Sequence, residues 1–217
     1  ANTVTLTVTD LNGNVSTCNA TVTVNDNTDP DAICQNITVG LDANGQVTIV
    51  AAQVDNGSTD ACGIASMTLS TSSFDCSNIG ENLVTLTVTD VNGNSDNCLS
   101  TVTVVDEIAP TITDCPSDIT VQPDSSNSNP VVTWVTPLAN DNCGIASYTS
   151  NFNSGNSFPP GTTTVTYTAI DGSGNITTCS FDVTVIATPL TASASSPTVI
   201  CGYNISCSGN TGTATAS

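Results

Sequence analysis

The sequence predicts an all-β protein, built as an elongated tandem of small β-sandwich modules. Three observations carry this. First, short runs alternate apolar and polar residues with period 2: Val4, Leu6 and Val8 alternate with Thr5, Thr7 and Thr9, then Cys18, Ala20, Val22 and Val24 with Asn19, Thr21 and Thr23. That is the pattern of a half-buried strand. Second, "VTLTVTDLNGN" (4–14) returns as "VTLTVTDVNGN" (84–94), 80 positions on, and more loosely as "VTYTAIDGSGN" (165–175), each leading to a cysteine: Cys18, Cys98 and Cys179. Third, Cys34 and Cys115, Cys62 and Cys143, and Gly80 and Gly161 are all spaced by 81. A period this long denotes modules rather than a solenoid, whose repeats run to about 20–50 residues.

Each element follows from these patterns. The repeated phrase reads as an antiparallel hairpin whose Asn-Gly centre (Asn12–Gly13) favours a type I′ turn. Its second strand carries the cysteine inward. Several short strands with Gly/Asn/Asp turns in about 80 residues form a small sandwich. The division expected is 1–28, the final hairpin of a preceding module; 29–107, module one; 108–187, module two; and 188–217, the start of a different β module. No stretch has a helical period.

Composition narrows the function. The 217 residues contain 19 acidic side chains and no Lys, Arg or His, a net charge of −19, with 9% charged residues against ~25% in an average protein. Such a chain lacks the cations that bind nucleic acid phosphates or anionic lipid. Divalent cations are its electrostatic partners. Ten cysteines without CxxC knuckles or His point to disulfides in an extracellular setting rather than zinc. No apolar run approaches the ~20 residues of a membrane span. "ANTVTLTVTD" opens directly in a strand pattern, so a window from a longer exported protein is expected. His-dependent triads, Lys Schiff bases and Arg phosphate clamps are excluded by residue type. A carboxylate pair remains, but Asp in turns ordinarily caps backbone. The chain is therefore read as non-enzymatic. Sequons at Asn14, Asn19, Asn36, Asn56, Asn175 and Asn204 carry no weight in a chain this rich in Asn and Thr.

"DCPSDITV", "VTWVTPLANDNCG", "FPPGTTTVTYTAIDGSGN" and "CSFDVTV" resemble the hyalin repeat (HYR), an immunoglobulin-like module of extracellular proteins, over nearly all of 109–186. Module one matches less closely, with Ile49 where module two has Trp134 and "CSNIGENLV" for "FPPGTTTV"; it is similar to modules of large secreted Bacteroidota proteins. "ISCSGNTGTATAS" (205–217) resembles the opening of the SprB-type repeat of gliding adhesins. These resemblances imply tandem immunoglobulin-like sandwiches in a structural, adhesive stalk of a large bacterial cell-surface protein or fibre. The partners implied are neighbouring modules or identical chains in a fibre, and surface glycans. The alternative is a glycan-binding accessory module of a secreted enzyme, which needs an exposed aromatic platform; Tyr148, Phe152, Phe158 and Tyr203 are its loop candidates, and Trp134 sits in a core-facing strand pattern.

Cysteine spacing gives the expected bonds. Cys34 to Cys98 and Cys115 to Cys179 are both 64 residues, which argues for two equivalent disulfides. Cys62 and Cys76 remain as a local pair in module one. Cys143 lacks a mate because Ser157 stands at the position matching Cys76, and the partner of Cys18 is expected upstream. Cys201 and Cys207 either pair with each other or await other partners.

The acidic residues suggest Ca²⁺ at the module joints. "DLNGN" and "DVNGN" alternate oxygen side chains but lack the Gly at position 6 and Glu at position 12 of an EF-hand. In an immunoglobulin-like sandwich the last hairpin's turn lies at the entry end. Asp90, Asn92 and Asn94 are thus expected beside Asp26, Asp29 and Asp31, with Asp55 and Asp60 from the loop before Cys62. In module two, Asp171, Ser173 and Asn175 are expected beside Asp106, Glu107 and Asp141. The candidate metal ligands are Asp29, Asp31, Asp60, Asp90, Asp106, Glu107, Asp141 and Asp171.

Overall fold

A computed structural model describes residues 2–123 and 128–187 of the chain. Tyr203, Cys201, Cys207 and the SprB-type stretch lie outside the described residues. The strands are β1 (Asn2–Thr9), β2 (Val15–Val22), β3 (Ile37–Gly40), β4 (Gln46–Thr48), β5 (Ile64–Leu69), β6 (Ser73–Asp75), β7 (Gly80–Asp90) and β8 (Ser95–Val105). They continue with β9 (Thr111–Thr113), β10 (Ile119–Val121), β11 (Leu138–Asn140), β12 (Ile145–Ser150), β13 (Gly161–Asp171) and β14 (Ile176–Val185). A four-residue α-turn (Ala51–Val54) and a 3₁₀ turn (Cys76–Asn78) are the described helical pieces.

Module one folds as a four-stranded sheet in the order β3-β8-β7-β5, faced by the pair β4-β6; module two repeats the four-stranded sheet as β10-β14-β13-β12 but faces it with a different pair, β11-β9. The entering strand of each runs parallel to the last (Ile37↔Val102, Ile119↔Val183), and the other ladders are antiparallel. This is a mostly-β, immunoglobulin-like pair of sandwiches. Period-2 alternation fixes which face is inside: Val84, Leu86 and Val88 of β7 are fully buried against Leu41, Ile49, Val54 and Phe74. In module two Val165, Tyr167, Phe181 and Val183 fill the same layer with Phe158 and Val132. Trp134 packs edge-on against Phe181 and donates from Nε1 to the Tyr167 hydroxyl at 2.8 Å. It lies in the core as its alternation suggests, but outside any ladder.

The hairpin turns differ from expectation. A type I′ turn needs positive φ at Asn12, yet within the turn only Gly13 has it (φ 85). Gly13 N–H donates to the Asp10 carbonyl at 3.0 Å and Asp10 N–H to the Asn14 carbonyl at 2.9 Å, a three-residue loop closed by a glycine bulge. The reason is Asp10, whose Oδ1 accepts the N–H groups of Asn12 and Asn14 and whose Oδ2 accepts the Asn14 amide. Asp90 and Asp171 organise the two later turns in the same way.

Three disulfides are formed among the described residues. Cys34 joins Cys98 and Cys115 joins Cys179, with Cα separations of 5.7 and 6.0 Å. Neither Cys34 nor Cys115 lies in a ladder strand; each sits just before the entering strand. The third is a correction. Cys76 bonds Cys143 of module two, at 5.4 Å between Cα atoms, and Cys62 is free and exposed. A Cys62–Cys76 bond is ruled out by strand length. Cys62 precedes β5, which begins opposite Asp90, whereas Cys76 precedes Gly80 at the other end of β7. Eleven residues of strand separate those ends by about 34 Å.

The joint around this bond is close-packed. Asn142 donates from Nδ2 to the Asp42 carbonyl across the modules (3.2 Å) and to Asp106 Oδ1 (3.1 Å). Gly45, at φ +71, leaves no room for a side chain: a Cβ there would lie 2.5 Å from Cys76 Sγ and 2.8 Å from the Asn142 carbonyl. Gly45→Ala should therefore cost more than the ~1–2 kcal/mol of a strained φ alone. It should also loosen the joint, read as faster reduction of Cys76–Cys143 in a timed thiol assay.

Candidate functional site: acidic clusters at the module joints

The inward row of β7 continues past Val84, Leu86 and Val88 to Asp90, which is 2% exposed; that of β13 ends likewise on Asp171, also 2% exposed. Strand phase thus buries a carboxylate at the entry end of each sandwich. The joint and the loop before β5 or β12 bring two more. Asp26, Asp60 and Asp90 form one cluster; Asp106, Asp141 and Asp171 form the other, each with ligand oxygens within 4.8 Å of one another. The two are one design repeated at the module period, since 106, 141 and 171 lie 80, 81 and 81 beyond 26, 60 and 90.

Of the expected ligands, Asp60, Asp90, Asp106, Asp141 and Asp171 are brought together. Asp29, Asp31 and Glu107 are not: all three are exposed, and Asp31 is engaged in a backbone bridge with Thr59. Of the three joint residues expected beside Asp90, Asp26 is the one that joins the cluster, although it was not among the candidate ligands. It is found by applying the module period to Asp106, which gives a joint residue 80 positions earlier. Asp55 is used elsewhere, capping Gly57 and Ser58.

The carboxylates are held by backbone donors. Asp60 Oδ1 accepts Cys62 and Gly63 N–H at 2.7 and 2.8 Å, and Asp141 Oδ2 accepts Cys143 and Gly144 N–H at 2.8 and 3.0 Å. Burial alone would raise the pKa of Asp90, but hydrogen bonds from Asn94, Asn92 and Gly93 outweigh it and hold the carboxyl below the ordinary range. Asp171 is lowered in the same way, with Asn175 the main donor. At Asp26 the first cause of lowering is the Cys62 thiol; reciprocally, that hydrogen bond and nearby carboxylate charge raise the Cys62 pKa. A folded carboxyl below its unfolded value stabilises the protein above the unfolded pKa, and the contribution disappears as pH falls through the folded value. Stability should therefore stay level from neutrality to about pH 5 and decline below about pH 4. Asp90→Asn should flatten that acid limb in circular-dichroism melts taken across the range.

The clusters differ in one respect. In the second, Asp106 Oδ2, Asp141 Oδ1 and Asn142 Oδ1 are buried with no hydrogen-bond partner, and Asp106 is only 6% exposed. Ala61 stands where Asn142 does, so the first cluster lacks that amide oxygen. Buried oxygens without donors are costly, and acceptors alone suit a hard cation taking 6–8 oxygens.

Comparison with known proteins now places the chain. Residues 105–185 match the family model described as "HYR domain". The likeness to the HYR domain is carried by that stretch. The chain is 36% identical to hyalin of Strongylocentrotus purpuratus over 211 residues, covering 93% of the chain and 17% of hyalin. It is 33% identical to hyalin of Lytechinus variegatus over 213 residues, covering 91% and 39%. Its homology is thus to the HYR repeats of hyalin, of which it spans well under half the length. The matches do not support a bacterial source or a SprB-type repeat. Among solved structures, Drosophila N-cadherin EC1–4 aligns with a TM-score of 0.35 at 13% identity over 74% of the chain and 50% of that chain. Mouse PcdhgC3 EC1-3 aligns at 0.33 and 13%, over 85% and 77%. A HYR module carrying disulfides is consistent with an extracellular protein.

Proposed function

We propose that this chain is a structural and adhesive stalk segment of a large extracellular surface protein, whose HYR modules are stiffened at their joints by Ca²⁺. The observation that carries the reading is the joint itself: the same three carboxylates recur one module apart, and the second joint adds a covalent bond between modules. A chain without Lys, Arg or His has no cation of its own to offset these charges. Asp106, Asp141, Asp171 and the Asn142 amide oxygen would hold the ion. A non-catalytic role accords with the residue types. An expected partner is the neighbouring module or an identical chain. A glycan platform is less favoured, because every aromatic ring among the described residues is buried or half-buried.

The test is a thermal melt with small-angle scattering, in Ca²⁺ and in chelator at matched ionic strength. Saturation at a hundred times Kd stabilises by about 2.7 kcal/mol, so a clear rise in Tm and a more extended envelope are expected in Ca²⁺. Asp106→Asn should reduce the shift strongly, Asp26→Asn less, and Glu107→Gln not at all. Superimposable melts in calcium and chelator would refute the cation. A compact envelope in both would refute the stalk.

A further inference from the structure

Three features at the N-terminal end share one explanation. The first is the hairpin β1–β2. Val4, Leu6 and Val8 are 53, 60 and 58% exposed, although the same residues in the same phrase, Val84, Leu86 and Val88, are fully buried. In module one the cover comes from residues within 29–79, including Leu41, Ile49, Val54 and Phe74. The second is Cys18, free and exposed, whose counterpart Cys98 is bonded to Cys34. The third is Cys62, also free and exposed, whose counterpart Cys143 reaches across the joint to Cys76. Each gap corresponds to something that residues 29–79 provide one module later: the apolar cover, the Cys34 thiol and the Cys76 thiol.

We propose that β1–β2 and Cys62 together form a docking face for one polypeptide segment built like residues 29–79 but lying outside these 217 residues. The segment brings two cysteines about 42 positions apart, as Cys34 and Cys76 are. Its first cysteine bonds Cys18 inside the completed sandwich. Its second bonds Cys62 across the joint. A second copy of this chain does not serve, because its Cys34 and Cys76 are already bonded to Cys98 and Cys143. Each new bond removes two protons and two electrons from two thiols. A disulfide oxidant of the thiol-exchange class accepts them and is reduced to two thiols. The proposal is independent of any cation at the joints.

The experiment presents the intact 217-residue chain with a synthetic polypeptide of sequence 29–79 carrying Cys62→Ser, in a glutathione redox buffer. Bonds are mapped after acid quenching and cleavage at acidic residues. The expected product is a one-to-one adduct in which the probe's Cys34 is bonded to Cys18 of the chain and its Cys76 to Cys62. A shuffled probe with the cysteines kept in place should be captured at least ten-fold less, and so should the true probe by a Leu6→Asp chain. That variant changes an exposed residue and leaves module one intact. No adduct, equal capture of the shuffled probe, or the crossed pairing of probe Cys34 with Cys62 would each overturn the proposal.

Discussion

Replacing Cys34 and Cys98 by serine should unfold module one at 37 °C while module two stays folded. The bond closes a separation of 64 residues, and in the chain-entropy model a loop of that size is worth about 4 kcal/mol. Domains have only about 5–15 kcal/mol in total. Module one has a thin core: nine buried apolar side chains, among them one aromatic, Phe74. The loss is thus a large part of its stability. Calorimetry should resolve two transitions, the first moved below 37 °C. The paired control is Cys76→Ser with Cys143→Ser. It frees the joint but leaves each sandwich with its internal bond, and both transitions should move by far less. Equal shifts in the two variants would mean that the joint, not the internal bond, holds module one together.

Leu86→Ala and Leu6→Ala should differ by 2 kcal/mol or more, although they alter the same letter of the same phrase. Leu86 is fully buried between the two sheets, and truncating a buried leucine costs about 2–5 kcal/mol in lost transfer energy and residual cavity. Leu6 is 60% exposed, and surface changes stay within about 0.5 kcal/mol. Denaturant titration of module one, followed by the exposure of its buried side chains, reads the difference. A comparable cost at Leu6 would show that the hairpin packs against a surface that its exposure does not reveal.

The comparison of Leu6 with Leu86 also marks what a sequence can carry. Alternation fixes which residues share a face, so β7, β8, β13 and β14 were legible, as was the inward position of the cysteines they bear. It does not fix whether another layer is present to cover that face. The pairings within one sandwich followed from equal spacing, because each copy obeys the same geometry. Cys76–Cys143 was hidden because it is not a property of one copy. It depends on which end of a strand a residue occupies, and Cys62 and Cys76 look adjacent only along the chain. The signal that could have found it is that Cys76 has no counterpart in module two, where Ser157 stands, while Cys143 was left over. In the acidic clusters, Asp60, Asp90, Asp141 and Asp171 followed from hairpin and loop position. Asp29 and Asp31 were placed too far along the joint. Such a segment has no alternation to set phase, and the module period is what singles out Asp26 among the three joint residues expected there. The turn type failed for a local reason: the Asp carboxylate binds successive backbone N–H groups, which outweighs the preference of an Asn-Gly pair for a type I′ turn.

The bond between the modules also changes what a cut in the backbone does. Cys76 lies inside the loop closed by Cys34 and Cys98, and Cys143 inside the loop closed by Cys115 and Cys179. The main chain is therefore not the only covalent route across the joint. A protease that severs the peptide beside exposed Glu107 opens one of two parallel strands. The two halves remain attached through sulfur, with each sandwich still closed on itself. Such a joint has to be broken twice, once by hydrolysis and once by reduction, before anything beyond it is lost.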